Sequence, residues 1–341
     1  MTQPRPPASS RPTIYDVAQR AGVSKSLVSL VLQNAPQVSQ KRRTAVLDAI
    51  ADLGYRPSNA ATSLAGNRTR SIGVAIDDFE NLWFVDLLRG MRQVLDESGL
   101  NVSVADRHLN AHLQLDPVDA FLSMRVEGLV LAMETPGPVP DFGSVPVVVA
   151  GARDVIPPGA DLVANDDTAG AGLATRHLLD LGHRKIGHIT GAGGIAALRR
   201  ASYEATMAEA GLAAMATGSG QTTEEDGYLA TRALLGAHPD VTAIFAANDV
   251  MLLGALAALR EHDLAVPLDV SVVGYDNSPL AASHYLALTT VDDRSVDVGV
   301  HAAQAILSRR DEPRRAPSRV LLPPRLVLRA STAAPPTQRR R

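Results

Sequence analysis

Read for the spacing of its apolar residues, the chain changes character near residue 70. From Thr13 the pattern is helical: Ile14, Val17, Ala18 and Ala21 recur on one face, with Thr13 placed as an N-cap and Asp16 three residues on. Gly22 interrupts it, Ser24 caps a second helix whose Val28, Val31 and Leu32 face the same core, and Ser39 caps a third with Val46, Leu47, Ile50 and Leu53 inward, ended by Gly54. Two short helices around an Ala-Gly-Val corner, backed by a third, predict a helix-turn-helix. Beyond Arg70 the period switches to short continuous apolar runs alternating with amphipathic helices, which predicts parallel sheets joined by crossover helices. Strands are expected over Ser71–Ile76, Val102–Ala105, Gly128–Ala132, Val145–Ala150, Lys185–Thr190, Ala243–Ala246 and Val270–Tyr275. Helices should begin near Leu82, Leu115, Thr168, Ala196, Glu224, Asn248 and Arg294. These units exceed one compact sheet, and Gly151 to Pro158 reads as a boundary between two.

Charge sharpens the division. The chain has 341 residues and a net charge of −3. Its first seventy residues hold ten Lys/Arg against three Asp, or +7, leaving 23 cations against 33 acids, or −10, for the rest. Only the small basic head suits a polyanion. The chain has no cysteine, which excludes disulfides, thiolate zinc sites and cysteine nucleophiles. No stretch reaches membrane-spanning length and Met1–Pro12 has no apolar run, so a cytoplasmic, nucleoid-associated protein with a disordered amino-terminal arm is expected.

Several motifs test for chemistry. Gly191-Ala192-Gly193-Gly194-Ile195-Ala196 fits G-x-G-x-x-A between a strand and a helix, the pattern of an NAD-dependent oxidoreductase. Its acidic partner, Glu209, comes too early and on a helix, and the glycines are equally explained as a tight turn beside a ligand. His108 and His112 share a helical spacing, but without a third ligand no metal site is expected. No catalytic constellation is found, so the chain is read as a non-enzyme without cofactors; a solute-binding protein is the other alternative.

Thr13-Ile14-Tyr15-Asp16-Val17-Ala18, Ala21-Gly22-Val23-Ser24, Val28-Ser29, Leu53-Gly54-Tyr55-Arg56-Pro57 and Ser63-Leu64-Ala65 resemble the lactose repressor/galactose repressor (LacI/GalR) family of bacterial transcription factors. The resemblance continues through the α/β body to about Arg329. It implies an all-α helix-turn-helix head plus a periplasmic-binding-protein type I effector domain of two parallel-sheet subdomains. The divisions it implies are an arm (1–12), the head (13–57), a hinge helix and linker (58–70), an effector and dimerisation domain (71–330) and a disordered tail (331–341). Within the effector domain it implies an N-subdomain of 71–164 plus 294–322 and a C-subdomain of 165–292 plus 323–330.

By the same resemblance Lys25, Ser26 and Leu30 read base edges. Tyr15, Ser24, Ser29, Asn34 and Tyr55 support or contact the DNA, and Leu64 wedges into the minor groove. Leu30 departs from an Arg common in the family and makes only apolar contacts; Leu27 and Leu30 otherwise extend the core. The effector contacts implied are Trp83, Phe84, Asp166, Arg199, Asn248 and Asp276, each near the carboxyl end of a strand. Plainer roles stand beside them: Trp83 and Phe84 as core, Asp166, Asn248 and Asp276 as caps, and Arg199 or its neighbour Arg200 as a solvated helix charge. The implied partners are a pseudo-palindromic operator DNA, a second copy of the chain and a small carbohydrate-like effector.

Overall fold

The computed structural model describes residues 12–32, 35–55, 69–109, 112, 116–134, 139–192 and 194–337. Asn34, Leu64 and the expected hinge helix lie outside the described residues. The chain forms two units, 1–69 and 70–341.

The small unit holds α1 (Ile14–Ala21), α2 (Lys25–Leu32) and α3 (Gln40–Leu53). Local chemistry fixes the start of α1: the Thr13 hydroxyl accepts from the Asp16 amide at 3.4 Å, and the Asp16 carboxylate accepts from the Thr13 amide at 2.7 Å. That reciprocal box holds the Asp16 carboxyl below its usual range. Gly22 and Gly54 end α1 and α3 in left-handed backbone, where a side chain would be strained. Val17, Ala18, Val28, Val31, Val38, Val46, Ala49 and Tyr55 form the core. Leu47, expected inward, is 50% exposed, because Ala49 is the residue of α3 that lies over the core beside Val46.

The large unit is built on two six-stranded sheets. In chain order its elements are β1 (Ser71–Ile76), α4 (Leu82–Leu95), β2 (Asn101–Asp106), α5 (Pro117–Ser123), β3 (Gly128–Ala132), β4 (Val147–Ala150), β5 (Asp161–Asn165) and α6 (Asp167–Asp180). There follow β6 (Ile186–Ile189), α7 (Gly194–Glu209), β7 (Met215–Thr217), α8 (Glu224–Ala237), β8 (Ala243–Ala246), α9 (Asp249–Glu261) and β9 (Ser271–Tyr275). The last are β10 (Thr289–Asp292), α10 (Ser295–Asp311), β11 (Arg319–Leu322) and β12 (Arg325–Val327).

The first sheet runs β11-β5-β4-β3-β1-β2, all parallel; the second runs β12-β10-β9-β8-β6-β7, with β12 alone antiparallel. Each sheet is packed on both faces, so its central strands are unbroken apolar runs. The chain passes from one sheet to the other three times, after β5, after β10 and between β11 and β12. Gly151 to Pro158 is therefore not a boundary: it joins β4 to β5 within one sheet. The strand that follows it, β5, begins on a charged residue and so does not read as an apolar run. Asp161 is fully buried there, bound by Arg309 and Arg315 at 2.8 and 2.5 Å, and against the effect of burial the bonds from Arg309 and from the Ser318 amide and hydroxyl hold its carboxyl below the usual range.

The tail also differs from expectation. Ser331 is buried, its hydroxyl accepting from the Thr289 amide at 2.8 Å and donating to the Val272 carbonyl at 2.7 Å. The Ala333 amide donates to the Ser271 hydroxyl at 3.0 Å. Residues 331–333 thus bind the second lobe rather than hanging free, because their backbone groups satisfy those of neighbouring strands. Among the described residues no helix is long and apolar enough to cross a membrane.

Candidate functional site

Eleven of the twelve strands are parallel within their sheet, and their carboxyl ends converge on a cleft between the lobes. A cavity of about 440 Å³ lies there. Its lining comes from loops that follow strands: Asp77 and Asp78 after β1, Glu134 after β3, Arg153 and Asp154 after β4, Ala192 and Gly194 after β6, Asn248 after β8 and Asp276 after β9. The turn over Gly191 is close-packed, since a Cβ there would meet the Thr222 methyl at 2.9 Å and the Gly220 carbonyl at 3.0 Å.

Of the six expected effector residues, five line this cavity: Trp83, Phe84, Arg199, Asn248 and Asp276. Trp83 and Phe84 pack edge to face at 5.2 Å and are only 6% and 4% exposed, so they serve the core of the first lobe and the cavity wall together. Asn248 caps α9, accepting from the Met251 amide at 2.8 Å, and spends a donor on the Thr222 carbonyl at 3.1 Å. Asp166 is not among the lining residues; it caps α6, accepting from the Ala169 amide at 2.8 Å.

Its neighbour Asp167 holds the more consequential place. Arg199 donates through Nε to Asp167 at 2.8 Å, and through one terminal nitrogen to the Ala247 carbonyl at 2.5 Å and to Asp276 at 3.4 Å. Its guanidinium lies 3.5 Å from the centre of the Tyr275 ring. Arg200, one residue on, is exposed and pairs with Glu204 at 2.7 Å. A single buried cation thus faces Asp167, Asp276 and Asp293. Those carboxylates hold Arg199 above its usual range against the effect of burial. Burial in turn raises Asp276 well above the ordinary carboxylate range and Asp293 to about 7, despite Arg199. Asp249, which fixes the loop after β9 by accepting from the Ser278 amide and the Thr290 hydroxyl, is pushed up to about 6 by burial.

Other lining residues escaped the sequence reading. Arg153 donates to the Ala132 and Ala152 carbonyls at 2.9 and 2.8 Å and lies 5.8 Å from the centre of the Trp83 ring. Asp77 pairs with Arg107 at 2.6 Å, and Arg107 also donates to the Glu134 carbonyl at 2.9 Å. The rule that located Trp83 and Asp276, to look just past a strand, reaches Asp77, Glu134 and Arg153 as well.

On the head, Ser24, Lys25 and Ser26 are exposed at the start of α2, with Ser29 and Leu30 half-buried. Tyr15 is 64% exposed, and the Lys25 ammonium lies 5.3 Å from the centre of its ring. Five polar candidates and Leu30 therefore come from the first turn of α1 and from Ser24 and α2. Tyr55, expected at the DNA, is instead in the core of the head, 8% exposed.

Comparison with known proteins gives this arrangement a place. Residues 13–58 match the family described as bacterial regulatory proteins, lacI family, and residues 175–332 match the periplasmic binding protein-like domain. The HTH-type transcriptional repressor PurR of Escherichia coli O139:H28 is 34% identical over 342 residues, covering 95% of this chain and 98% of that one. A LacI-family transcriptional regulatory protein from Corynebacterium glutamicum is 42% identical over 78% of this chain and 99% of its own, with a TM-score of 0.71. The Lac repressor dimer bound to operator and the anti-inducer ONPF is 29% identical, covers 95% of this chain and all of its own, and has a TM-score of 0.78. The chain is a member of the LacI family of bacterial regulatory proteins.

Proposed function

We propose that this protein is a transcriptional repressor that binds a pseudo-palindromic operator as a homodimer and releases or tightens it in response to a small polyhydroxylated effector. The observation that carries the reading is the pairing, in one chain, of a basic helix-turn-helix head with a cleft cavity between two sheets. The amino-terminal face of α2 offers Lys25, Ser26 and Leu30 to base edges, while Tyr15, Ser24 and Ser29 meet the backbone. Asn34 and Leu64 are assigned, by family likeness, to backbone support and the minor-groove wedge. In the cleft, Trp83 and Phe84 cover the apolar face of the effector, while Arg199, Asn248 and Asp276 meet its polar edge.

Both lobes line the cavity, so an effector that fits one lobe spacing better than another shifts their relative placement. Residues 56–68 join the lobes to the head along the chain, and carry that shift to it. The size of the response equals the difference in the effector's affinity for the two states. The protein acts by binding rather than turnover, at the nucleoid. Selection of duplexes from a random pool, followed by titration of the winning duplex with and without candidate sugars, tests the reading. Failure to prefer any duplex over random competitor would refute it.

A further inference from the structure

The cleft cavity is lined by more carboxylates than cations, with Arg153 and Arg199 its only basic side chains among the described residues. Asp78, Glu80, Glu134, Asp154, Glu224 and Asp276 all bring carboxylates to its lining. Asp78 spends one oxygen on the Glu80 amide and Glu134 one on the Asp154 amide. The side chains of Glu80, Asp154 and Glu224 have no hydrogen-bond or ion-pair partner among the described residues. Asp276 is the deepest of the six and only 7% exposed. One of its oxygens takes the 3.4 Å bond from Arg199, and the other has no partner among the described residues while the residue faces the cavity.

The two cations are largely engaged within the protein. Arg199 gives Nε and one terminal nitrogen to Asp167 and the Ala247 carbonyl. Arg153 gives both terminal nitrogens to backbone carbonyls, and Asn248 gives its amide to Thr222. On side chains there remain the other terminal nitrogen of Arg199, the Trp83 indole N–H, the Asn81 and Gln221 amides and the Thr222 hydroxyl, while the unpartnered Nε of Arg153 is buried. The amino end of α7, an ordinary place for an anion, is already faced by a carboxylate: a Cβ on Gly194 would lie 3.1 Å from Glu134 Oε1.

A ligand carrying phosphate or carboxylate brings more acceptors and a like charge to this lining, and pays for both. A hydroxyl brings one donor. An ammonium brings three donors, no acceptor and the opposite charge. We propose that the effector is a cationic amino-polyol of the amino-sugar class, its ammonium docked on the free oxygen of Asp276 within the carboxylate-lined cleft. This rests on the cleft being the effector site.

The test uses matched sets on the full chain: glucosamine, glucose and glucose 6-phosphate, with the corresponding galacto and manno sets, followed by calorimetric titration and thermal unfolding. At least one aminated sugar is expected to bind about tenfold more tightly than its neutral parent, a margin of about 1.4 kcal/mol, and the phosphorylated members not to bind. Asp276→Asn should erase the margin. Glu224→Gln, at the exposed rim, should narrow it severalfold and serves if Asp276→Asn does not fold. An equal or tighter neutral or phosphorylated member, or no binding by any aminated sugar, overturns the proposal. Specific operator binding is measured on the same preparation: its absence sinks the regulator reading itself, whereas its presence with the wrong ligand preference sinks only the cationic class.

Discussion

Replacing Arg199 with methionine tests the electrostatic reading of the cleft most directly. Methionine keeps an unbranched chain of similar length, so little cavity is left; what is lost is the one cation among Asp167, Asp276 and Asp293, with its bonds to Asp167 and the Ala247 carbonyl. Arg199 is 5% exposed, so its charge is met by these protein groups far more than by solvent. Removing one member of a buried ion pair costs about 3–5 kcal/mol, against a domain stability of roughly 5–15 kcal/mol. At about 2–4 °C per kcal/mol for a body of this size, the unfolding midpoint should fall by roughly 10 °C.

The pH dependence gives the signature. Without Arg199, Asp276 and Asp293 titrate still higher in the folded protein, while the unfolded chain loses the same protons near the ordinary carboxylate value. The folded variant therefore regains stability as pH falls and loses it as pH rises through the raised values. The deficit against wild type should be larger at pH 8 than at pH 5 by thermal unfolding of the full chain. A midpoint within a degree or two of wild type, or a deficit of the same size at both pH values, would refute the reasoning.

The wild type should itself lose stability between pH 4 and 8 where Asp249 and Asp293, raised from 3.8 to about 6 and about 7, give up protons that the native state holds. Asp293→Asn should flatten that decline in urea midpoints, and an unchanged slope would remove Asp293 as its source. Gly254→Ala should destabilise by about 1–3 kcal/mol, since its Cβ would collide with the Glu224 carbonyl and lie 2.5 Å from the Tyr228 amide where α8 meets α9. Unaltered urea resistance would mean that the two helices separate freely. Thr13→Ala should cost the head about 1 kcal/mol and Thr13→Ser much less; equal losses, read by circular dichroism on melting, would deny the capping box its role. Operator affinity should fall steeply with salt, as counterions released by the +7 head demand. A flat plot of log K against log salt would exclude the phosphate contacts.

What the sequence made legible followed from how local each signal was. Strand β1, Ser-Ile-Gly-Val-Ala-Ile, is buried at every position and reads as a strand from its own residues. Strands β5 and β10 do not, because Asp161 and Asp292 bound them and Asp161 is tolerated through Arg309, Arg315 and Ser318, 148, 154 and 157 residues away. Strands β11 and β12 are short, with exposed arginines, and owe their pairing to tertiary contact. The cleft shows the same division. Trp83 and Asp276 were found from strand ends, but only helix phase separates Arg199, buried on the Asp167 side, from solvated Arg200. Asp166 and Asp167 likewise exchange roles, one capping and one ion-paired, by which side of the α6 terminus each occupies.

The binding of residues 331–333 gives the carboxyl terminus a duty out of proportion to its length. Ser331 laces β9 to the start of β10, the strand that leads back to the first lobe, and Thr332 reaches His177 on α6 at 3.0 Å. Trimming by an exopeptidase, or a fusion that stops at Ala330, would not shorten a loose end. It would unpick a seam of the second lobe at the strand from which one of the three inter-lobe passages departs.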